Sequence, residues 1–141
     1  MKKFLCLPLL FFIIFISGCY TIPPATIDKS NALQTAKTAY VVINPLVIGT
    51  FQNLIYANLQ RRGIETTVGP MSDKPSDVDI YVTYVAYHSW DMAMYLKSYT
   101  ITIYDNKNNT VIATDSFSTG FFHDFANSQK VTNMLMGNMF K

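Results

Sequence analysis

Charge, cysteine, histidine and glycine are all scarce in this chain, and each scarcity closes off a class of function. Charged residues make up 14% of the 141, with 11 Lys and Arg against 9 Asp and Glu. A nucleic-acid surface needs clustered cations with interleaved aromatics, so nucleic acid is excluded as a partner. The formal charge of +2 belongs to Lys2 and Lys3, and a chain trimmed after Gly18 is neutral. The Arg61-Arg62 pair reads as two solvated cations near a helix C-terminus, where the dipole favours them. The two histidines, His88 and His123, are far apart, and no H-x-x-x-H or C-x-x-C spacing occurs, so the sequence carries no zinc site and no metal site is expected. Asp77-Val78-Asp79 has the composition of a calcium ligand pair but reads as a polar loop entering a strand. The 6 glycines build no phosphate-cradling loop, and no cofactor is expected.

Two cysteines, Cys6 and Cys19, are too few for a disulfide framework. No apolar run is long enough to span a bilayer either: Phe4 to Ile16, interrupted by Pro8, is about 13 residues against the roughly 20 a spanning helix needs. What is present instead is a short positive start, Met1-Lys2-Lys3, followed by that apolar run, which together match a secretory signal. Half the residues are apolar, so the remainder holds enough hydrophobic material for one folded core.

Ile16-Ser17-Gly18-Cys19 resembles the bacterial lipobox: an aliphatic residue, two small residues, then a cysteine. The resemblance implies a signal peptide of residues 1–18 cleaved after Gly18, diacylglycerol in thioether linkage on Cys19, and acylation of the new amine. Two or three chains make a stable attachment where one is marginal. Cys6 leaves with the signal. Tyr20 stands where, in enteric-type lipoproteins, an aspartate favours retention in the inner membrane. That rule implies an outer-membrane location facing the periplasm, with the membrane as a partner through the lipid anchor.

Residues 19–38 carry Pro23-Pro24, several Thr, Ser and Asn, and no sustained apolar period, which predicts a flexible tether. A single α+β domain is expected over 39–141. Ala39 to Ile43 predicts a strand; Thr50 is placed to cap a helix over 50–62 that Gly63 ends. Ile64 to Val68 predicts a short edge strand. Three strands follow, from Ile80, from about Tyr95 to Tyr104 and from Thr110 to Thr119, in an antiparallel meander with a turn at 105–109. Ser128 is placed to cap a last helix with Val131, Leu135 and Met139 on one stripe. The order β-α-(β)-β-β-β-α predicts a two-layer sandwich, a mainly antiparallel sheet of 4–5 strands with two helices on one face.

His88, Ser89 and Asp91 are residue types of a hydrolase triad, with His123 and Asp124 the other candidates. Alternation along one strand sends His88 to one face and Ser89 with Asp91 to the other, whereas a triad needs mutual hydrogen bonding. No catalytic residue is therefore assigned, and the chain is not expected to be an enzyme. Trp90 reads first as a core residue at a strand end. Alternatively Trp90, Met92, Met94 and Tyr95 protrude as an apolar contact. If Ile80, Val82, Tyr84 and Ala86 face the helices, Tyr81, Thr83, Val85 and Tyr87 lie on the other face, beside Tyr104. Tyr81, Tyr87, Trp90 and Tyr104 are the candidate interaction surface.

The stretch DVDIYVTYVAYHSWDMAMYLKSYTITIYD resembles small proteobacterial outer-membrane lipoproteins of unknown function. In these an Asp-flanked apolar strand leads to a Ser-Trp-Asp and Tyr-Leu hairpin. More loosely, the element order is similar to the lipopolysaccharide-assembly lipoprotein and to periplasmic α+β domains of secretion lipoproteins. Neither resemblance brings catalytic residues. Together these features predict a non-enzymatic accessory or structural component of a cell-envelope assembly, with an envelope protein as partner. The alternative is a binding or sensor lipoprotein for an amphiphile or glycan.

Overall fold

Strands form where β-branched and aromatic residues alternate, and the sheet they build sets everything else. The structure, a computed structural model, describes residues 20–28, 31–120 and 125–141. In chain order the elements are β1 (Tyr20–Thr21), β2 (Thr26–Ile27), α1 (Ala32–Thr35), β3 (Thr38–Val42), α2 (Phe51–Gln60), β4 (Glu65–Gly69), a 3-10 turn (Met71–Asp73), β5 (Ile80–Asp91), β6 (Ala93–Asp105), β7 (Thr110–Thr119) and α3 (Ser128–Met139). The sheet order is β1-β7-β6-β5-β3-β4, and β2 also pairs with β7. The expected α+β sandwich is the fold observed: α2 and α3 pack on one face of a mainly antiparallel sheet.

Two features of the sheet depart from expectation. β3 pairs parallel with both β4 and β5, because α2 carries the chain from β3 over to β4 and the segment at 70–79 carries it from β4 back past β3 to β5, and parallel neighbours need such crossovers. The segment expected as a tether is also structured in large part. Tyr20 and Thr21 pair with Thr119 and Ser118, and Thr26 and Ile27 with Thr114 and Ala113. β7 would otherwise be an open sheet edge, and a β-branched segment covers it. Pro23-Pro24 fall between the two short strands, where proline's missing donor interrupts no ladder. Leu33 of α1 is buried in the core.

The core between sheet and helices is built from Val41, Ile55, Leu59, Val82, Tyr99, Ile101, Ile103 and Leu135, each 0% exposed. As expected, Ile80, Val82, Tyr84 and Ala86 face it. α2 ends in a Schellman arrangement: Gly63 N–H donates to Gln60 O at 2.9 Å and Ile64 N–H to Leu59 O at 3.2 Å, with Gly63 at φ +78°, as glycine permits. Thr50 precedes α2 but its side chain makes no capping bond. The cap of α3 is Asn127 rather than Ser128; its Oδ1 accepts from Gln129 N at 2.9 Å and Lys130 N at 3.1 Å. Met136 and Thr132 join Val131, Leu135 and Met139 on the buried face. Arg61 and Arg62 are exposed at the C-terminal end of α2, as read, and also bridge to α3. Arg61 donates to Asn133 Oδ1 at 2.9 Å, and the Arg62 guanidinium lies 4.9 Å from the Phe140 ring centre. Among the described residues no buried side-chain polar atom lacks a hydrogen-bond partner.

Candidate functional site

The functional question turns on the two ends of the long β5–β6 hairpin. β3 pairs with β5 only at Ile80, Tyr81 and Val82, and β7 reaches along β6 only to Ser98. Beyond Tyr87 and Ser98 the hairpin is therefore a two-stranded arm. At about 3.3 Å per residue its last four positions carry it roughly 13 Å past the sheet. A β-bulge marks the root: Tyr87 pairs with Ser98 but His88 with Leu96, leaving Lys97 as the extra residue. The bulge resets the phase of β6, so Leu96 and Tyr99, three apart, both face the core.

The arm is apolar and exposed. Tyr87 is 64% exposed, Trp90 72%, Met92 89% and Met94 57%. The reading of Trp90 as a core residue is thus corrected: it points to the helix-covered side, opposite Met94, but past the end of the helices. Met92, at the turn, has φ +58°, a left-handed conformation that non-glycine residues adopt at a cost. The loop at 44–49 lies beside β5 just before the arm, where Asn44 Nδ2 donates to Tyr84 O at 3.0 Å. It exposes Leu46 and Ile48. Phe125, also exposed, meets Tyr95 edge-on at 6.3 Å. Leu46, Ile48 and Phe125 were missed by sequence reasoning, although three apolar residues between Asn44-Pro45 and Gly49 were a signal.

The other end of the hairpin is closed. Tyr81, expected on an open face, is buried in a small cluster with Tyr40 and Val42, because the loop at 70–79 folds over that part of the sheet. Tyr81 stacks on Tyr104 at 4.6 Å with 2° between the rings, donates to Asn109 Oδ1, and lies under Lys74 Nζ at 4.8 Å. Burial, then the neighbouring Tyr104, pushes its hydroxyl pKa up. Tyr40 OH reaches Pro70 O at 2.9 Å across Gly69, where any Cβ would collide with that hydroxyl. Tyr81 and Tyr104 are brought together, while Tyr87 stands at the arm's root and Trp90 on the arm. The interaction-surface reading is corrected at Tyr81, whose ring is covered.

Between these regions the open face is a hydroxyl grid. The pairings align Thr83, Thr102, Thr114 and Thr26 in one row, and Tyr87, Ser98, Ser118 and Thr21 in another. Thr102 and Thr114 hydroxyls lie 3.3 Å apart.

Of the triad-type residues, His88 packs its ring 5.9 Å from Phe51, on the core side. Ser89 is the next residue of the same strand and faces the other way. His123, Asp124 and Cys19 lie outside the described residues. Asp79, in the calcium-like stretch, is committed to structure: Oδ2 accepts from Lys37 N at 2.8 Å, Thr38 N at 2.9 Å and Thr38 Oγ1 at 3.0 Å. These bonds hold its carboxyl below the usual range, the Lys37 N–H most of all. Among the described residues no group of His, Cys, Asp or Glu is placed to hold a metal ion. No helix among them is long and apolar enough to cross a membrane.

A helix-backed mixed sheet with a projecting apolar arm is the class these features define. PelC from Paraburkholderia phytofirmans, solved as a dodecamer, is similar in fold: TM-score 0.55 at 15% identity, covering 84% of this chain and 92% of that one. A minor lipoprotein from Acinetobacter baumannii is a looser match, with TM-score 0.42 at 11% identity over 74% of this chain and 93% of that one, too loose to bear on fold or function. No family model and no curated protein matches the chain.

Proposed function

We propose that this chain is a membrane-anchored lipoprotein of the outer membrane, facing the periplasm, and a non-enzymatic component of a cell-envelope assembly. The observation that carries the reading is the concentration of exposed apolar side chains at one end. Tyr87, 64% exposed at the arm's root, is joined there by Leu46 and Ile48. Exposed aromatic side chains such as Tyr87 form the centres of contact surfaces. The lipobox-like Ile16-Ser17-Gly18-Cys19 supports the anchor. Tyr20, next to Cys19, is paired at the same end of the sheet, opposite Thr119. An envelope protein is the partner, reached through Tyr87 and the hydroxyl face beside it. Since PelC is a dodecamer, a second copy of this chain is the first candidate.

A second reading, an amphiphile-binding protein, has one observation in its favour. A cavity of about 190 Å³ between β7 and α3 is lined by Phe117, Val131 and Met134. Ligand sites usually enclose roughly 300–1,000 Å³, so the cavity takes part of an acyl chain at most, and the assembly reading is preferred.

Two measurements test the proposal. Intact mass of protein extracted from membranes should show loss of residues 1–18 and added diacylglyceryl on Cys19, both absent from Cys19→Ala. An unmodified Cys19 in the wild type ends the anchor reading. Photocrosslinking in cells from position 87 should give a defined adduct, with a mass that is a multiple of the chain's own if the partner is a second copy. Position 111, exposed at the far end, should give none. Identical patterns from both positions would end the assembly reading.

A further inference from the structure

We propose that the tip of the β5–β6 arm is a membrane foot: Trp90, Met92 and Met94 enter the headgroup–acyl boundary of the bilayer to which Cys19 is attached. The inference rests on the anchored reading above and adds a second point of contact with the same membrane.

Position comes first. Tyr20 pairs with Thr119, one step past the Ser98–Ser118 pair at the arm's root. Cys19 immediately precedes Tyr20 in the sequence. The covalent route to the lipid therefore leaves the sheet at the end from which the arm projects. The arm's reach beyond that level, three positions or roughly 10 Å, matches the 5–10 Å depth at which interfacial segments lie.

Chemistry agrees with position. Trp favours the membrane interface, where its ring is buried and its N–H stays hydrated. Charge is segregated: the described charged residues of the arm end are Asp91, Lys97 and Lys130, whereas Lys37, Glu65, Lys74, Asp77, Asp79, Asp105 and Lys107 lie toward the opposite end. Asp91 beside the turn limits entry to headgroup depth, since a carboxylate stays with water and the polar headgroups. Met92 supplies an independent sign. A turn residue at φ +58° is where glycine or asparagine relieves the backbone, yet this position holds a thioether side chain, 89% exposed. A strained backbone that presents an apolar side chain to solvent points to a use for that side chain.

Trp90 is the sole tryptophan, so the full chain reports on itself. The protein is purified from membranes and reconstituted into vesicles of phosphatidylethanolamine and phosphatidylglycerol, with and without lipids brominated near the headgroup. The foot predicts that bromolipid lowers Trp90 emission at least about twofold and that aqueous iodide loses access to it. Met92→Gly should cut the bromolipid quenching by about half or more without lowering the thermal unfolding midpoint. Emission unaffected by bromolipid and fully open to iodide, in protein whose mass shows an acylated Cys19, overturns the foot and leaves the anchor standing. A blue shift that occurs without bromolipid quenching assigns the tip to a protein contact and also overturns it. If mass shows Cys19 unmodified, the anchor reading fails by itself, and quenching in vesicles that sediment with the protein still decides the foot.

Discussion

Both ends of the β5–β6 hairpin carry large aromatic side chains and treat them in opposite ways. At the closed end Tyr40, Tyr81 and Tyr104 are packed, stacked and hydrogen-bonded beneath the loop at 70–79. At the arm end Tyr87, Trp90, Met92 and Met94 stand in water. Covering apolar surface is worth roughly 25 cal/mol for each Å², so the arm leaves stabilisation unrealised that the closed end collects. The difference separates two roles. The closed end holds the fold, and the arm end keeps its apolar surface available for a contact outside the chain.

The largest expected effect breaks the closed end. Tyr81→Ala removes a buried ring, its stack on Tyr104 and its bond to Asn109, and should cost about 3 kcal/mol. Urea unfolding would read this as a lower midpoint at unchanged slope. A loss under about 1 kcal/mol would mean that the covered cluster contributes no more than an exposed one, and the contrast between the ends would fall.

A smaller effect sharpens the same contrast through pH. Asp79 clamps the start of β3 to that of β5 through the N–H groups of Lys37 and Thr38, and these bonds depress its folded pKa. A carboxyl with a depressed folded pKa stabilises above its unfolded pKa, and that contribution is lost as pH falls through the ordinary carboxylate range toward the folded value. The side chain is exposed, so the discounted contribution is about 1 kcal/mol. Asp79→Ala should lower stability at pH 7 by about that amount and nearly converge with wild type at pH 2. An equal deficit at both pH values would show that the charge is not what holds β3.

Much of this architecture was legible in local sequence. β7 falls on its expected residues, Gly63 ends α2 at the expected place, and Asn109 supplies the left-handed residue foreseen in the 105–109 turn. These are short-range signals, fixed by periodicity and backbone chemistry. What escaped depended on long-range pairing. No local pattern says that β3 runs parallel to β5, that Thr21 and Thr26 seal the edge of β7, or that the loop at 70–79 covers Tyr81. Alternation placed Tyr81 and Tyr87 on one face correctly, but exposure depends on what the chain lays over that face. Trp90, read as a core residue, is exposed for a related reason: the strand pattern continues past the last helix that could cover it.

The smallest expected effect tests the arm directly. Trp90→Ala removes the chain's only indole, a change that in a packed site costs about 3–5 kcal/mol. At 72% exposure the ring loses little on truncation, and the expected change in stability is within about 0.5 kcal/mol. The comparison is sharpest when Trp90→Ala and Tyr81→Ala are unfolded side by side in detergent-free buffer and again on vesicles. In buffer the first should match wild type while the second unfolds early. On vesicles a contact made by the folded arm adds stability by mass action, so Trp90→Ala should then fall behind wild type. A Trp90→Ala protein already destabilised by more than about 1 kcal/mol in buffer would mean that the indole packs against its own chain, and the arm would belong with the closed end as part of the fold.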